Sequence, residues 1–174
     1  MLVIRNTKFE DINEEIIAYE NVFLESESGE IINTWHIGLL IDSYIKAKKF
    51  DRAWLLTCKM QRFLDIDVNK YQYKILKKEK KYEIALYFLF NSVSFMVINN
   101  KKYKLYEDEY SKENFNEHIE KEFSYIMKKL KIDKYNTEEK KEELFTEVIL
   151  HANSTKDLAS SYRKNQEIAE NAIK

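Results

Sequence analysis

The sequence predicts an all-α protein of about seven to eight short helices that pack as antiparallel hairpins. Proline is absent, and glycine occurs only as Gly29 and Gly38. A sheet-rich chain needs turn residues at frequent intervals, whereas helices joined by polar connectors do not. Lysine and glutamate, which favour helix, are abundant. Apolar residues make up 44% of the chain, which is enough for a single helical domain over residues 1–174.

Apolar residues at three- and four-residue spacing predict the first three helices. The first is expected to begin at Thr7, whose hydroxyl caps it while Glu10 completes a capping box. The second is expected over about 30–48 and the third over about 51–64. Because the connector between the second and third is tight, we expect these two to form an antiparallel hairpin.

A short fourth helix is expected over about 68–79 and a fifth over about 82–98. The fifth is apolar nearly all round, which is typical of a helix at the centre of a core or half covered by a partner. Its asparagine and serines make it too polar for a membrane span. Because its end is rich in β-prone residues, a β-hairpin within 92–106 is the alternative.

Three further helices complete the chain. The sixth is expected to begin near Ser111 and has the most regular apolar period. The seventh is expected to begin at Asn136, with Glu139 at the capping-box position, and the eighth at Ser154.

Charge is unevenly distributed, although the net charge is only −1. Residues 59–104 carry 11 basic and 4 acidic side chains. The flanking segments are acidic, with 6 basic and 10 acidic in 1–58, and 8 basic and 13 acidic in 105–150. The small net charge argues against a protein that binds nucleic acid over its whole surface. The single cysteine suits a reducing compartment, so we expect an intracellular location, in the cytoplasm or an organellar matrix.

Searches for catalytic and metal-binding patterns find none. The three histidines, His36, His118 and His151, are far apart, and one cysteine leaves structural zinc without a ligand set. The start of a calcium loop at 65–69 lacks the later glycine and glutamate, so Asp67 is interpreted as a helix cap. Cys58 lies on an apolar helix and is expected in the core. We therefore predict a non-enzymatic protein without cofactor or metal.

One stretch resembles a known repeat. Leu-Ile-Asp-Ser-Tyr-Ile-Lys-Ala at 40–47 is followed by Phe-Asp-Arg-Ala at 50–53 and then by Met60. The stretch over about 34–68 resembles a pentatricopeptide repeat, and tetratricopeptide repeats share much of the pattern. In both families a small residue at the position of Ala53 lets two helices approach closely, and aromatic residues at Tyr44 and Phe50 fill the gap beside it.

A weaker copy follows, because Tyr-Glu-Ile-Ala at 82–85 echoes Phe-Asp-Arg-Ala at 50–53 at an offset of 32 residues. Lys48 stands where the repeat usually has a glycine near the hairpin turn, and the usual proline is missing. The resemblance implies a right-handed array of tetratricopeptide- or pentatricopeptide-like hairpins. Each hairpin of such an array must stack on a neighbour to bury its apolar face.

The two branches of the resemblance imply different partners. Tetratricopeptide-like arrays hold peptides or partner proteins in a concave groove, and the groove positions here would be His36, Gly38 and Asp42. Our first hypothesis is therefore a non-enzymatic module that binds a protein or peptide, or acts as a subunit of a larger assembly. It predicts that apolar surface on the helix over 82–98 stays exposed.

The alternative is an RNA-binding pentatricopeptide-like protein, with the organellar location common in that family. The base-reading positions would fall at Gly38 and Val68, and neither side chain can hydrogen-bond a base edge. Lysines can contact phosphates, and exposed tyrosines can stack on unpaired bases. The residues proposed for this role are Lys70, Lys74, Lys77, Lys78 and Lys81, with Tyr71 and Tyr73. This alternative predicts that the lysines lie on one face.

Overall fold

The computed structural model describes residues 9–27, 34–60, 67–103, 109–132, 138–155 and 157–174. Every regular element within these ranges is an α-helix, so the all-α prediction is confirmed. The eight helices are α1 (Ile12–Glu27), α2 (Thr34–Lys46), α3 (Phe50–Met60), α4 (Val68–Lys78), α5 (Tyr82–Tyr103), α6 (Glu109–Leu130), α7 (Glu138–Ser154) and α8 (Leu158–Ile173).

The chain forms two compact units, Met1–Tyr71 and Gln72–Lys174. In the first unit, α2 packs against both α1 and α3. In the second unit, α5 packs against α6, α7 and α8, and α7 also packs against α8. The prediction of a single domain stays a prediction.

Two helices begin at aspartates rather than at the hydroxyl residues that were predicted. The helix expected from Thr7 begins at Ile12, because Asp11 Oδ1 accepts hydrogen bonds from the amides of Asn13 at 2.5 Å and Glu14 at 3.1 Å. Thr7 itself lies outside the described residues. An aspartate caps a helix at least as well as a threonine and also favours the positive end of the helix dipole.

The start of α8 shows the same effect. Asp157 is its N-cap and accepts a hydrogen bond from Ser160 N at 2.8 Å, whereas Ser154, the predicted start, is the last residue of α7. The predicted cap at Asp67 is confirmed, because its Oδ1 accepts from Lys70 N at 3.3 Å. Asn136 lies outside the described residues.

The β-hairpin alternative is wrong as far as Tyr103, because α5 is one continuous helix from Tyr82 to Tyr103. Residues 104–106 lie outside the described ranges. Leu86, Leu89, Phe90 and Val93 are all buried, so the helix packs on several neighbours at once. This packing outweighs the β propensity of the residues at 95–98, as tertiary contacts commonly do.

Three helix ends use a lysine where glycine is usual. Lys48, Lys80 and Lys131 have φ values of 59°, 64° and 55°, in the left-handed region. After each one, the next amide donates to a carbonyl five residues back, which is the Schellman motif. These bonds join Lys49 to Tyr44 (2.8 Å), Lys81 to Leu76 (2.9 Å) and Ile132 to Met127 (3.4 Å). Lys48 therefore adopts the conformation that the glycine of the repeat pattern would supply.

Candidate binding surfaces

A groove lies on the repeat-like hairpin of the first unit, and we call it the hairpin groove. Its volume is about 270 Å³. Its lining comes from α1, α2 and α3 and consists of Glu20, Leu40, Tyr44, Arg52, Leu55, Leu56 and Lys59. Leu55 is 61% exposed and stands at the groove, so an apolar side chain is available at its surface.

The groove follows from the phase of the apolar residues in α3. The buried stripe of this helix is Ala53, Leu56, Thr57 and Met60. Leu55 lies off that stripe and lines the groove together with Leu40 and Tyr44 of α2. Ala53 is fully buried, and α2 packs against α3. The close approach of the two helices at Ala53, which the repeat pattern implies, stays a prediction.

One wall of the hairpin groove is fixed by a charged network. Glu20 Oε1 accepts a hydrogen bond from the hydroxyl of Tyr44 at 2.5 Å and one from Arg52 Nη1 at 3.4 Å. Burial, and then the hydrogen bond to Glu20, raise the pKa of Tyr44 to about 12. Tyr44 is therefore neutral at physiological pH, and the groove presents an apolar centre between this network and the amine of Lys59.

The predicted groove positions lie elsewhere on α2. Gly38 is buried, and a Cβ atom added to it would collide with the phenol of Tyr71. Asp42 is on the same side of the helix, because burial and then the charge of Asp42 raise the pKa of Tyr71. His36 is half-buried and does not line the hairpin groove, although it lies one turn before Leu40 on the same side of α2. Leu40 and Tyr44, which line the groove, are on the side of α2 opposite to Gly38 and Asp42.

The base-reading positions are also closed. Val68 is buried, like Gly38. Neither position therefore offers an accessible surface for a base. The resemblance had implied that both positions would face a ligand, whereas Gly38 lies against Tyr71 and Val68 is 7% exposed.

The lysines of the basic segment are partly neutralised. Lys77 Nζ lies 2.5 Å from Glu122 Oε2 and 5.3 Å from the ring centre of Tyr125. Lys81 forms an ion pair with Glu79 at 3.1 Å. Lys70, Lys74 and Lys78 recur at four-residue spacing on α4, so they share one side of that helix, with Lys70 and Lys78 exposed and Lys74 half-buried.

The tyrosines do not provide the stacking surface that the RNA alternative requires. Tyr73 is only 1% exposed, and its hydroxyl is hydrogen-bonded to His118 Nε2 at 2.9 Å. Its ring is therefore part of the core, which corrects its place among the binding residues. Tyr71 is half-buried against Gly38.

The central helix α5 keeps a small exposed apolar edge. Ile84 is 51% exposed, and Tyr87 and Phe88 beside it are half-buried. Among the described helices, the stretch Tyr82–Asn99 has the length and apolar composition that could cross a membrane. However, 61% of this stretch is buried inside the fold, as in the core helix of a soluble protein.

A second cavity was not predicted from the sequence, and we call it the acidic cleft. It lies in the second unit between α6 and α7 and has a volume of about 420 Å³. Its lining is Glu120, Phe123, Ser124, Glu138, Lys141, Glu142, Phe145, Thr146 and Ile149. The sequence feature that could have pointed to it is the acidic excess of residues 105–150.

The structure also corrects the placement of Cys58. It is exposed, because the buried stripe of α3 runs through Leu56, Thr57 and Met60 and leaves position 58 on the outer side. Within the described part of the chain, no group of three or more histidine, cysteine, aspartate or glutamate residues could hold a metal ion.

Comparison with protein-family models, with curated proteins and with solved structures finds no match for this chain.

Proposed function

We propose that this chain is a non-enzymatic helical-repeat module that binds a protein, alone or as a subunit of a larger assembly. The hairpin groove takes an aliphatic side chain from a segment of that protein. The observation that carries this proposal is Leu55, a large apolar residue 61% exposed beside a cavity whose centre is formed by Leu40, Tyr44 and Leu56.

The chemistry of the groove supports an uncharged apolar occupant. Glu20 is already engaged by Tyr44 and Arg52, so it is not the best receptor for a partner's cation. Removing an aliphatic side chain and Leu55 from water together stabilises the complex by about 25 cal/mol per Å² of apolar surface. Helical hairpins present such grooves because each one keeps an apolar edge that a neighbour can cover.

The geometry supports protein binding better than the RNA-binding alternative. Glutamates lie against Lys77 and Lys81, and the ring of Tyr73 is buried. One observation still supports the RNA-binding alternative: Lys70, Lys74 and Lys78 share one side of α4. Lysines provide phosphate contacts, but of the two tyrosines proposed for base stacking Tyr73 is buried and Tyr71 is half-buried.

The test is a pull-down of the tagged full chain from its native source, with and without nuclease. We compare the wild type with Leu55→Asp, which places a charge at the groove. The matched control is Leu150→Asp, because Leu150 on α7 is also a leucine, is 62% exposed and lies outside both cavities. Circular dichroism of the purified variants checks that both remain folded.

We expect a partner protein that survives nuclease, is recovered by Leu150→Asp and is lost with Leu55→Asp. An unchanged set of proteins with Leu55→Asp would overturn the groove assignment. Loss of all partners on nuclease treatment, with RNA in the untreated sample, would replace the proposal with the RNA-binding alternative.

A further inference from the structure

The acidic cleft is an opening between two helices that are both held by a third. In the second unit, α6 and α7 each pack against α5. On α7, Leu144 and Val148 form the buried side, while Phe145 and Ile149, one residue further along, are half-buried and line the cleft. The helix therefore divides its apolar residues between the core and this opening.

The floor of the cleft is aromatic and aliphatic. The ring centres of Phe123 and Phe145 are 5.6 Å apart, which is the spacing of a packed aromatic pair. Phe123 is buried beneath, so Phe145 and Ile149 form the surface that an occupant would touch. Such a floor accepts one or two apolar side chains rather than a fully polar ligand.

The rim of the cleft is negatively charged on both sides. Glu120 stands on α6, and Glu138 and Glu142 stand on α7. Lys141 neutralises Glu138, since their charged atoms are 2.6 Å apart. Within the described ranges, no ion pair or hydrogen bond engages the carboxylates of Glu120 and Glu142. Two exposed glutamates, one on each helix, therefore line the cleft above its apolar floor.

We propose that the acidic cleft binds a cationic amphipathic segment of another protein. An aliphatic or aromatic side chain of the segment packs on Phe145 and Ile149, and adjacent lysine or arginine side chains pair with Glu120 and Glu142. Charge complementarity selects this occupant, because residues 105–150 carry 13 acidic and 8 basic side chains and repel an anionic ligand. The site is separate from the hairpin groove and shares no residue with it.

The test uses the full chain and a short fluorescent peptide in which leucine and lysine alternate at helical spacing. Two control peptides replace either leucine by serine or lysine by glutamate. The protein variants are Glu120→Gln with Glu142→Gln, which removes the rim charge, and Thr146→Lys, which adds a cation at an exposed lining position. The matched control is Glu143→Gln with Glu147→Gln, which changes net charge equally at two glutamates of α7 that do not line the cleft.

We expect fluorescence anisotropy to show binding of the leucine–lysine peptide that weakens as salt rises. Its affinity should fall about tenfold in the rim double variant, which loses two exposed ion pairs, and about as much in Thr146→Lys, which adds a charge that repels the peptide. The control double variant should change the affinity less than about twofold, since its charges lie away from the cleft.

Four results would overturn the proposal. Equal binding of the serine–lysine peptide would show that general surface charge explains the binding. No binding of the leucine–lysine peptide at low salt would show that the cleft is not a binding site for such a segment. An unchanged affinity in the rim double variant would place the binding elsewhere. In the absence of peptide, a self-associated wild type that becomes monomeric in the rim double variant would make the occupant a second copy of this chain.

Discussion

The α2–α3 connection and the α4–α5 connection are alike in local structure and different in packing. Equivalent residues, 32 positions apart, are Lys48 and Lys80 at the left-handed position, Phe50 and Tyr82 at the helix start, and Ala53 and Ala85 in the first turn of each helix. Both alanines are fully buried, and in both connections the alanine amide donates to the carbonyl of the residue just before the helix.

Packing beyond the connections differs. In the first unit α3 buries one stripe of residues and packs against α2. In the second unit α5 packs instead against α6, α7 and α8, and the side chains of Tyr73 and Lys77 on α4 reach α6. The width of the apolar surface explains the difference, because a helix that is apolar nearly all round must be covered from several sides. A repeat-like connection therefore specifies the turn but not the neighbour.

The polar contacts between helices also differ between the two units. In the first unit, Ser43 and Tyr44 donate to the carboxylates of Glu15 and Glu20, which remain partly exposed. In the second unit, the buried amide of Asn165 on α8 donates to Asn91 Oδ1 at 3.1 Å and to Ser94 Oγ at 2.8 Å, both on α5. Neutral groups form the hydrogen bonds where burial is complete, because an ionised group buried there would lose its hydration.

The largest effect is expected from a cavity in α5. Leu89→Ala removes a side chain that is fully buried between several helices, and we expect a loss of about 3–5 kcal/mol in the free energy of unfolding. Leu56→Ala, on α3, removes a side chain that also lines the hairpin groove, so the site is already open to water. Its expected cost is about 2 kcal/mol, the lower end of the range for this substitution.

Chemical unfolding followed by circular dichroism measures both values. Leu150→Ala is the control, since a change at this exposed leucine should stay within about 0.5 kcal/mol. Equal costs for Leu89→Ala and Leu56→Ala would show that the number of covering helices does not decide how much a leucine stabilises its helix.

A smaller effect is expected for the charged contacts of the first unit. Their contribution to the free energy of unfolding should depend on pH, unlike that of the neutral contacts of the second unit. The pKa of Tyr44 is about 12, above its ordinary value of 10.0. A raised pKa means that the folded state holds the proton more tightly than the unfolded chain. The stabilisation is therefore complete below pH 10 and is lost as pH rises towards 12. We expect Tyr44→Phe to cost about 1 kcal/mol at neutral pH and progressively less through this window.

Ser94→Ala is the matched control for this pH dependence. It removes an acceptor of the Asn165 amide, and neither group titrates in the alkaline range, so its cost should not change with pH. Unfolding by urea at several pH values provides the comparison. A cost of Tyr44→Phe that stays constant up to pH 12 would mean that folding, through burial and the hydrogen bond to Glu20, does not raise the pKa of Tyr44.

The helices could be predicted from sequence because their apolar period is a local property. Spacings of three and four residues located the amphipathic helices, a long apolar run located α5, and Asp67 was identified as a cap from its position alone. The starts near Thr7 and Ser154 were wrong because hydroxyl and carboxylate residues compete for the same free amides. The period does not say which of them a helix uses.

The candidate sites could not be predicted in the same way, because they depend on how helices pack. Leu55 and Cys58 are exposed only because α2 covers a particular stripe of α3. Glu120 and Glu142 are in separate helices, and they meet across a cleft only because α6 and α7 share α5 as a neighbour. The spacing of residues within one helix shows neither which of its sides a neighbouring helix covers nor which residues of another helix line the same cleft.

The smallest effect is the sharpest test of the likeness between the two connections. A left-handed conformation costs an L-residue about 1–2 kcal/mol, whereas glycine adopts it freely but loses more entropy on folding. Lys48→Gly and Lys80→Gly should therefore each raise the free energy of unfolding by about 0.5–1 kcal/mol. Since both connections form the same pair of hydrogen bonds, the two gains should be equal and additive in the double variant.

Lys48→Ala and Lys80→Ala are the controls, because alanine removes the lysine side chain but keeps the Cβ atom that makes the conformation costly. Neither should stabilise the protein. Thermal unfolding of the single and double variants gives the comparison. A gain at Lys48 with a loss at Lys80 would mean that the helices around α5 impose the second turn, and that the two connections resemble each other only in sequence and backbone geometry.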